Sequence, residues 1–356
     1  MLRIPSSVGE VTPTFLTAAL GSCSLLGGAT VTSVEPEPIG TGQMCDSFRL
    51  RLGYDKATPA PQTVVVKLPS TDAGSRTAAR ALRCYEIEVR FYQELAGELP
   101  VPTPACYHAA IEVDSGEFVL LLADLAPAVQ GDQMAGCALE EATVAIDALV
   151  ALHAPRWGDP SLAELEWLGR DRAGTRAFLL ELLPSSWAGF CDRYAAALDE
   201  AVFEVGAELF SSIESYLAGS DTAPPTIVHG DYRLDNLLFD AAAKTVAVVD
   251  WQTCGLGAGC SDLAYFLGAG LLPELRRQHE QALVRRYHDG LVAAGVTGYG
   301  FERCFADYRR GSFGGLVMAV AASMLVERTE RGDEMFLTMA RRHARHALDL
   351  DAASVL

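Results

Sequence analysis

Residues 228–239 read VHGDYRLDNLLF, and residues 245–252 read TVAVVDWQ. An imidazole, three carboxylates counting Asp250, and an amide are wedged between apolar, β-branched runs. Charged and polar groups next to buried segments are costly unless they are paired or used. The pattern therefore asks for short strands over 226–229, 236–239 and 245–250 that hold a polar loop rigid, with Asp231, Asn236 and Asp250 at strand ends. Few folds can meet that demand, and the rest of the chain has to supply the frame.

The frame divides near residue 125. The length, 356 residues, suggests two domains, and a 50% hydrophobic content marks a globular chain. Before the boundary, Pro13 opens a short helix over 13–20. Phe48, Leu50 and Leu52 alternate with Arg49 and Arg51, as in a half-buried strand. The β-branched run TVVVKL (63–68) and the segments 107–113 and 117–123 add further strands. Leu82, Tyr85, Val89, Tyr92 and Ala96 recur at spacings of three and four, which predicts one helix over 75–96. After the boundary, 140–153, stretches within 175–218, and the chain from about 271 onward read as helices. The expected class is α+β: a sheet-rich unit over 1–125 and a large, mainly helical unit over 126–356.

Composition removes several function classes. No apolar run reaches membrane-spanning length, and the N-terminus lacks the features of an export signal, so a cytoplasmic protein is expected. Nine scattered cysteines, none in CxxC spacing, fit reduced thiols and argue against zinc. With 28 basic and 46 acidic residues, the chain repels nucleic acid and anionic membranes. The deficit concentrates in 125–220, which holds 5 basic and 15 acidic residues. That segment is either a solvated helical surface or a wall attracting a cationic ligand, with Trp157, Trp167 and Trp187 as core or as cation-binding aromatics.

Lysine is rare, with Lys56, Lys67 and Lys244 alone, and Lys67 ends a run of three valines. A buried amine needs an anion. Glu88, set between Tyr85 and Tyr92 on the apolar stripe, is the candidate partner, and Glu86 competes for the role. Gly40 and Gly42 precede this strand and could let backbone N–H groups approach phosphate oxygens; a plain hairpin turn would look the same. Asp231 and Asn236 are five apart, and Asp250 follows 14 residues later. Phosphoryl transfer needs such a set: one carboxylate to take the attacking hydroxyl's proton, and an amide and a second carboxylate to hold Mg²⁺.

In these residues the chain resembles the aminoglycoside and choline phosphotransferases, and more closely their ecdysteroid-kinase-like branch. The likeness rests on VHGDYRLDNLLF, VVDWQ, SDLAYFLG, VVVKLPS, EVRFYQEL and ALHAPRWGDP, and covers nearly the whole chain in order. It implies a two-lobed protein-kinase-like fold that moves the γ-phosphate of ATP to a small-molecule hydroxyl. By position, Asp231 would be the catalytic base, and Asn236 and Asp250 the Mg²⁺ ligands. Lys67, held by Glu88, would meet the α/β-phosphates, and the backbone of Ala123 and Leu125 would read adenine. Asp262 and His229 would brace the catalytic loop. Trp251-Gln252 after Asp250, where protein kinases carry Phe-Gly, puts a mobile activation segment in doubt. Arg233 and Asp235 either face substrate or pair with each other. The competing reading is a nucleotide-binding pseudokinase with a scaffolding role.

Overall fold

The computed structural model describes every residue except 1, 41–43, 169–171, 220–222, 243 and 327. The chain forms two compact units. The first comprises Met1–Glu98, Thr103–Pro127 and Val249–Thr253; the second comprises Leu99–Pro102, Ala128–Val248 and Cys254–Leu356. Val249–Thr253 is thus remote in sequence from the rest of the unit it belongs to. Its membership has a packing cause: the Trp251 ring stacks on Phe91 at 3.8 Å, and its indole Nε1–H donates to Thr103 Oγ1 at 3.1 Å.

The first unit begins with helix α1 (Pro13–Ser22), capped by the Thr12 hydroxyl on the Phe15 N–H. Strands β1 (Val31–Ile39), β2 (Cys45–Tyr54), β3 (Thr63–Pro69), β4 (Cys106–Glu112) and β5 (Glu117–Ala123) form an antiparallel sheet in the order β1-β2-β3-β5-β4. Period-two alternation decides what each face carries. Val64, Val66 and Leu68 join Leu16 and Leu20 in one core, which leaves Lys67 on the opposite face. The single helix expected over 75–96 is broken. Helix α2 (Ala73–Ala81) stops at Leu82, and α3 (Cys84–Arg90) starts after Arg83, which sits at φ 59°; Phe91–Leu95 continues as a π turn. The break resets the apolar stripe. Leu82, counted as inward, is 47% exposed, whereas Tyr85, Val89 and Tyr92 are buried.

The second unit starts with β6 (Val129–Gln130) and α4 (Leu139–His153). Helices α5 (Arg172–Tyr194), α6 (Glu200–Ser211) and α7 (Ile213–Gly219) follow. Short strands β7 (Pro225–Val228), β8 (Leu237–Asp240), β9 (Thr245–Val248) and β10 (Gly255–Ala258) come next, then α8 (Gly259–Gly270) and α9 (Pro273–Ala293). The chain closes with α10 (Phe301–Gly311), α11 (Gly314–Leu325) and α12 (Glu330–Asp349). β8 pairs with β6 and β9, and β7 with β10, all antiparallel. The large core lies among α5, α6, α8, α11 and α12. Trp187 belongs to it, stacked on Phe210 at 5.0 Å; Trp167 is buried and Trp157 packs on Tyr299. These rings are core, not an exposed cation platform. Glu181, Asp192, Glu200, Glu204, Glu208 and Glu214 are all exposed, which fits the solvated-surface reading of the acidic segment. Among the described residues no helix is long and apolar enough to cross a membrane.

Candidate active site

In the first unit, the face of β3 opposite the α1 core presents Lys67. Its Nζ donates to Glu88 Oε1 and Oε2 at 2.6 and 2.8 Å and to Asp250 Oδ1 at 2.9 Å. Glu86 takes the other path, to Arg83 at 2.9 Å, because two residues' turn along α3 carries it to the opposite side of the helix from Glu88. Lys67 and Glu88 are buried. Burial disfavours the Lys67 charge, yet the carboxylates of Asp250 and Glu88 hold its pKa well above the usual lysine value, so it stays an ammonium. Asp250 adopts φ 66°, a left-handed conformation uncommon for a residue with a side chain, and Gln252 Nε2 donates to its Oδ2 at 3.2 Å.

Ala123 ends β5, and its N–H is spent on Ala105 O at 2.8 Å. Asp124 accepts from Arg49 Nε and Nη2 at 2.8 and 3.1 Å, and from the Ala126 N–H at 3.2 Å, which fixes the chain on either side of Leu125. Gly40 follows β1 at φ 77°, where an added Cβ would meet nothing within 4 Å. Gly42 lies outside the described residues.

In the second unit, β10 runs directly into α8 while pairing with β7, so Gly255 lies opposite Val228. That pairing sets the first turn of α8 beside the polar loop. Asp262, buried in that turn, accepts the backbone N–H of His229 at 2.6 Å and of Gly230 at 3.0 Å. Gly230 sits at φ 80°, which favours glycine. His153 Nε2 also contacts Asp262 at 3.3 Å, and its Nδ1 meets the Tyr287 hydroxyl at 2.8 Å. His229 Nδ1 accepts the Asp231 N–H at 3.2 Å. The Tyr232 hydroxyl anchors the loop to α4 through Ala145 O at 2.7 Å.

Asp231 is held by side chains from three directions. Tyr265 Oη donates to Oδ1 at 2.8 Å; Arg233 Nε and Asn236 Nδ2 donate to Oδ2 at 3.1 and 3.0 Å. Asn236 Nδ2 also donates to Asp231 O at 2.9 Å, so the network fixes the amide's orientation. Arg233 pairs with Asp235 as well, and Asp235 Oδ1 accepts the Gln133 N–H at 3.1 Å. Arg233 and Asp235 therefore pair with each other. Tyr265, Gln252 and His153 contribute contacts that motif reading left aside. Tyr265 lies three residues after Asp262, on the same helix face, but that spacing alone does not tell that the face meets the Asp231 loop.

Residues 50–310 match the family described as "Phosphotransferase enzyme family" (APH), well over half of the chain. The chain belongs to this phosphotransferase family. Among solved structures, the phosphotransferase is similar to the ethanolamine kinase of Plasmodium vivax, with TM-score 0.52 and 10% identity over 90% of this chain and 85% of that one. It is also similar to the streptomycin–ATP ternary complex of APH(2")-IIa, with TM-score 0.50 and 15% identity over 91% and 94% of the two chains. At such identities the likeness is one of fold: a kinase-like arrangement of a five-stranded antiparallel sheet and a mainly helical remainder. "Acyl-CoA dehydrogenase family member 11" of Gallus gallus is 27% identical over 175 residues, 47% of this chain and 20% of that protein. The phosphotransferase spans at most 20% of the length of the curated relatives it matches.

Proposed function

We propose that this phosphotransferase moves the γ-phosphate of ATP to a hydroxyl of a small molecule, with Asp231 as the base. The observation that carries the reading is the buried cluster in which Lys67 is gripped by Glu88 and Asp250. A buried ammonium between two carboxylates adds little to stability compared with an apolar residue. It is what a nucleotide site needs: a fixed cation for phosphate oxygens. The ATP-bound neighbour and the ethanolamine kinase support ATP as donor and an alcohol as acceptor.

In the reaction, the acceptor's O–H proton passes to Asp231 as its oxygen bonds to the γ-phosphorus. The bond from that phosphorus to the bridging oxygen breaks, and ADP leaves with the electron pair. Ala123 and Leu125 read the adenine edge through their backbone, and Gly40 gives the phosphates room. Asp262 and His229 keep the loop rigid. Magnesium fits the donors present. Asn236 spends its amide N–H groups on Asp231, leaving Oδ1 as a hard acceptor, and Asp250 offers a carboxylate. Mg²⁺ takes such oxygens and needs few from protein. When bound, it would neutralise charge on the phosphates.

The solvent exposure of the carboxylates of 125–220 removes the main reason to favour a polycation, which leaves a neutral or lipophilic alcohol as the better candidate. The proposed ecdysteroid-kinase-like affinity points the same way. The names of the curated relatives put hydroxylated acyl-CoA thioesters on the trial panel too. The test is acceptor-dependent ADP release, with phosphomonoester detection, over aminoglycosides, amino alcohols, sterol-like alcohols and hydroxyacyl thioesters. A phosphorylated alcohol is expected. Tight ATP binding with no phosphoester from any acceptor would instead indicate a nucleotide-binding scaffold.

A further inference from the structure

The hydrogen bonds at Asp231 can be counted. A carboxylate offers about four lone-pair positions, two on each oxygen. Oδ2 is filled by Arg233 Nε and Asn236 Nδ2. Oδ1 accepts from Tyr265 Oη at 2.8 Å, and no second donor reaches it among the described residues. One position is left, on Oδ1, beside the tyrosine hydroxyl.

Tyr265 is itself held firmly. It is buried, and its ring is stacked on His343 of α12 at 5.6 Å with 28° between planes. It also belongs to the apolar core built by α5, α6, α11 and α12. One turn of α8 thus grips the loop twice: Asp262 takes the backbone N–H groups of residues 229 and 230, and Tyr265 takes the side chain of residue 231. Burial, followed by the Asp231 charge, pushes the phenol well above its usual pKa, so it remains a donor.

We propose that Tyr265 is a positioning residue for phosphoryl transfer, which turns Asp231 so that the acceptor hydroxyl can reach it at Oδ1 alone. The proposal rests on Asp231 being the base. With its Oδ2 tied to Arg233 and Asn236 and its Oδ1 pinned by Tyr265, the carboxylate cannot rotate about its last bond. The incoming hydroxyl must then approach on the Tyr265 side, where the phenol oxygen can also accept from it. Arg233 Nη1 lies 3.1 Å from Met335 Sδ, which closes the opposite side of the guanidinium with an apolar side chain. Acceptors with bulk next to the reacting hydroxyl should therefore be more sensitive to the residue at 265 than slender ones.

The test is a double-mutant cycle with Tyr265→Phe and Asp231→Asn, using an acceptor identified from the panel. Tyr265→Phe keeps the ring and removes the donor. It should lower kcat roughly 10- to 100-fold, the scale of a misplaced catalytic group, with acceptor KM and Mg·ATP affinity within about 3-fold and the melting temperature little changed. In the Asp231→Asn background the same change should have almost no further effect, because Tyr265 acts through that carboxylate. An equal loss in both backgrounds, or no loss in the wild-type background, would overturn the proposal. An Asp231→Asn variant as active as wild type would overturn the base assignment first, and the proposal with it.

Discussion

Lys67 shows what a single side chain can commit to. Its ammonium is shared by Glu88 and Asp250, and removing it leaves two carboxylates without a cation. Lys67→Met should destabilise the first unit by roughly 3–5 kcal/mol, as for a broken buried ion pair, and abolish ATP binding. Denaturant unfolding and nucleotide titration would measure both. Adding Glu88→Leu should restore much of the stability and none of the nucleotide affinity, which separates the two roles. The lysine was legible in the sequence because it is one of three and follows three valines. Glu88 was legible by helical phase. Tyr265 was not, because its meaning depends on which face of α8 meets the loop. That face is set by the pairing of β7 with β10, two four-residue strands whose partners no local pattern announces.

Elements were readable where periodicity was strong and misread where the backbone changed phase. The strands β3 to β5 and helix α4 fall close to their expected limits, since β-branched alternation and regular apolar spacing each have one physical solution. The helix expected over 75–96 failed at Arg83. A left-handed residue there leaves no mark in a sequence that carries no glycine or proline at the break. Helix α12 carries a consequence for acid stability. His343 is fully buried against Tyr265 and close to His346, Arg276 and Arg342. Burial, with the neighbouring charges, drops its pKa to about 3. The folded state therefore keeps it neutral where the unfolded chain binds a proton, below about pH 6.5. Unfolding takes up that proton, so stability falls as pH drops from about 6.5 toward 3, by up to about 1.4 kcal/mol per pH unit from this residue. His343→Gln should flatten the difference in urea-unfolding free energy between about pH 6 and pH 4. A slope equal to that of wild type would show that His343 is protonated in the folded state.

At the scale of the whole molecule, the sequence reading puts one boundary near residue 125, whereas the two compact units are each assembled from separate stretches of chain. The return of Val249–Thr253 to the first unit was not legible, because it depends on Trp251 stacking on Phe91, a contact between residues 160 positions apart in sequence. The family match spans residues 50–310 and takes in both the Lys67 cluster and the Asp231 loop. On the proposed function, Lys67, Glu88, Asp231, Asn236 and Asp250 would supply the groups that phosphoryl transfer asks of its protein. The most direct test of that claim is Asp231→Asn, measured for Mg·ATP affinity and for turnover on the same preparation. The account predicts unchanged nucleotide binding and turnover reduced by ~10²–10⁴-fold, the scale of general base catalysis. Turnover equal to that of the wild type would contradict it.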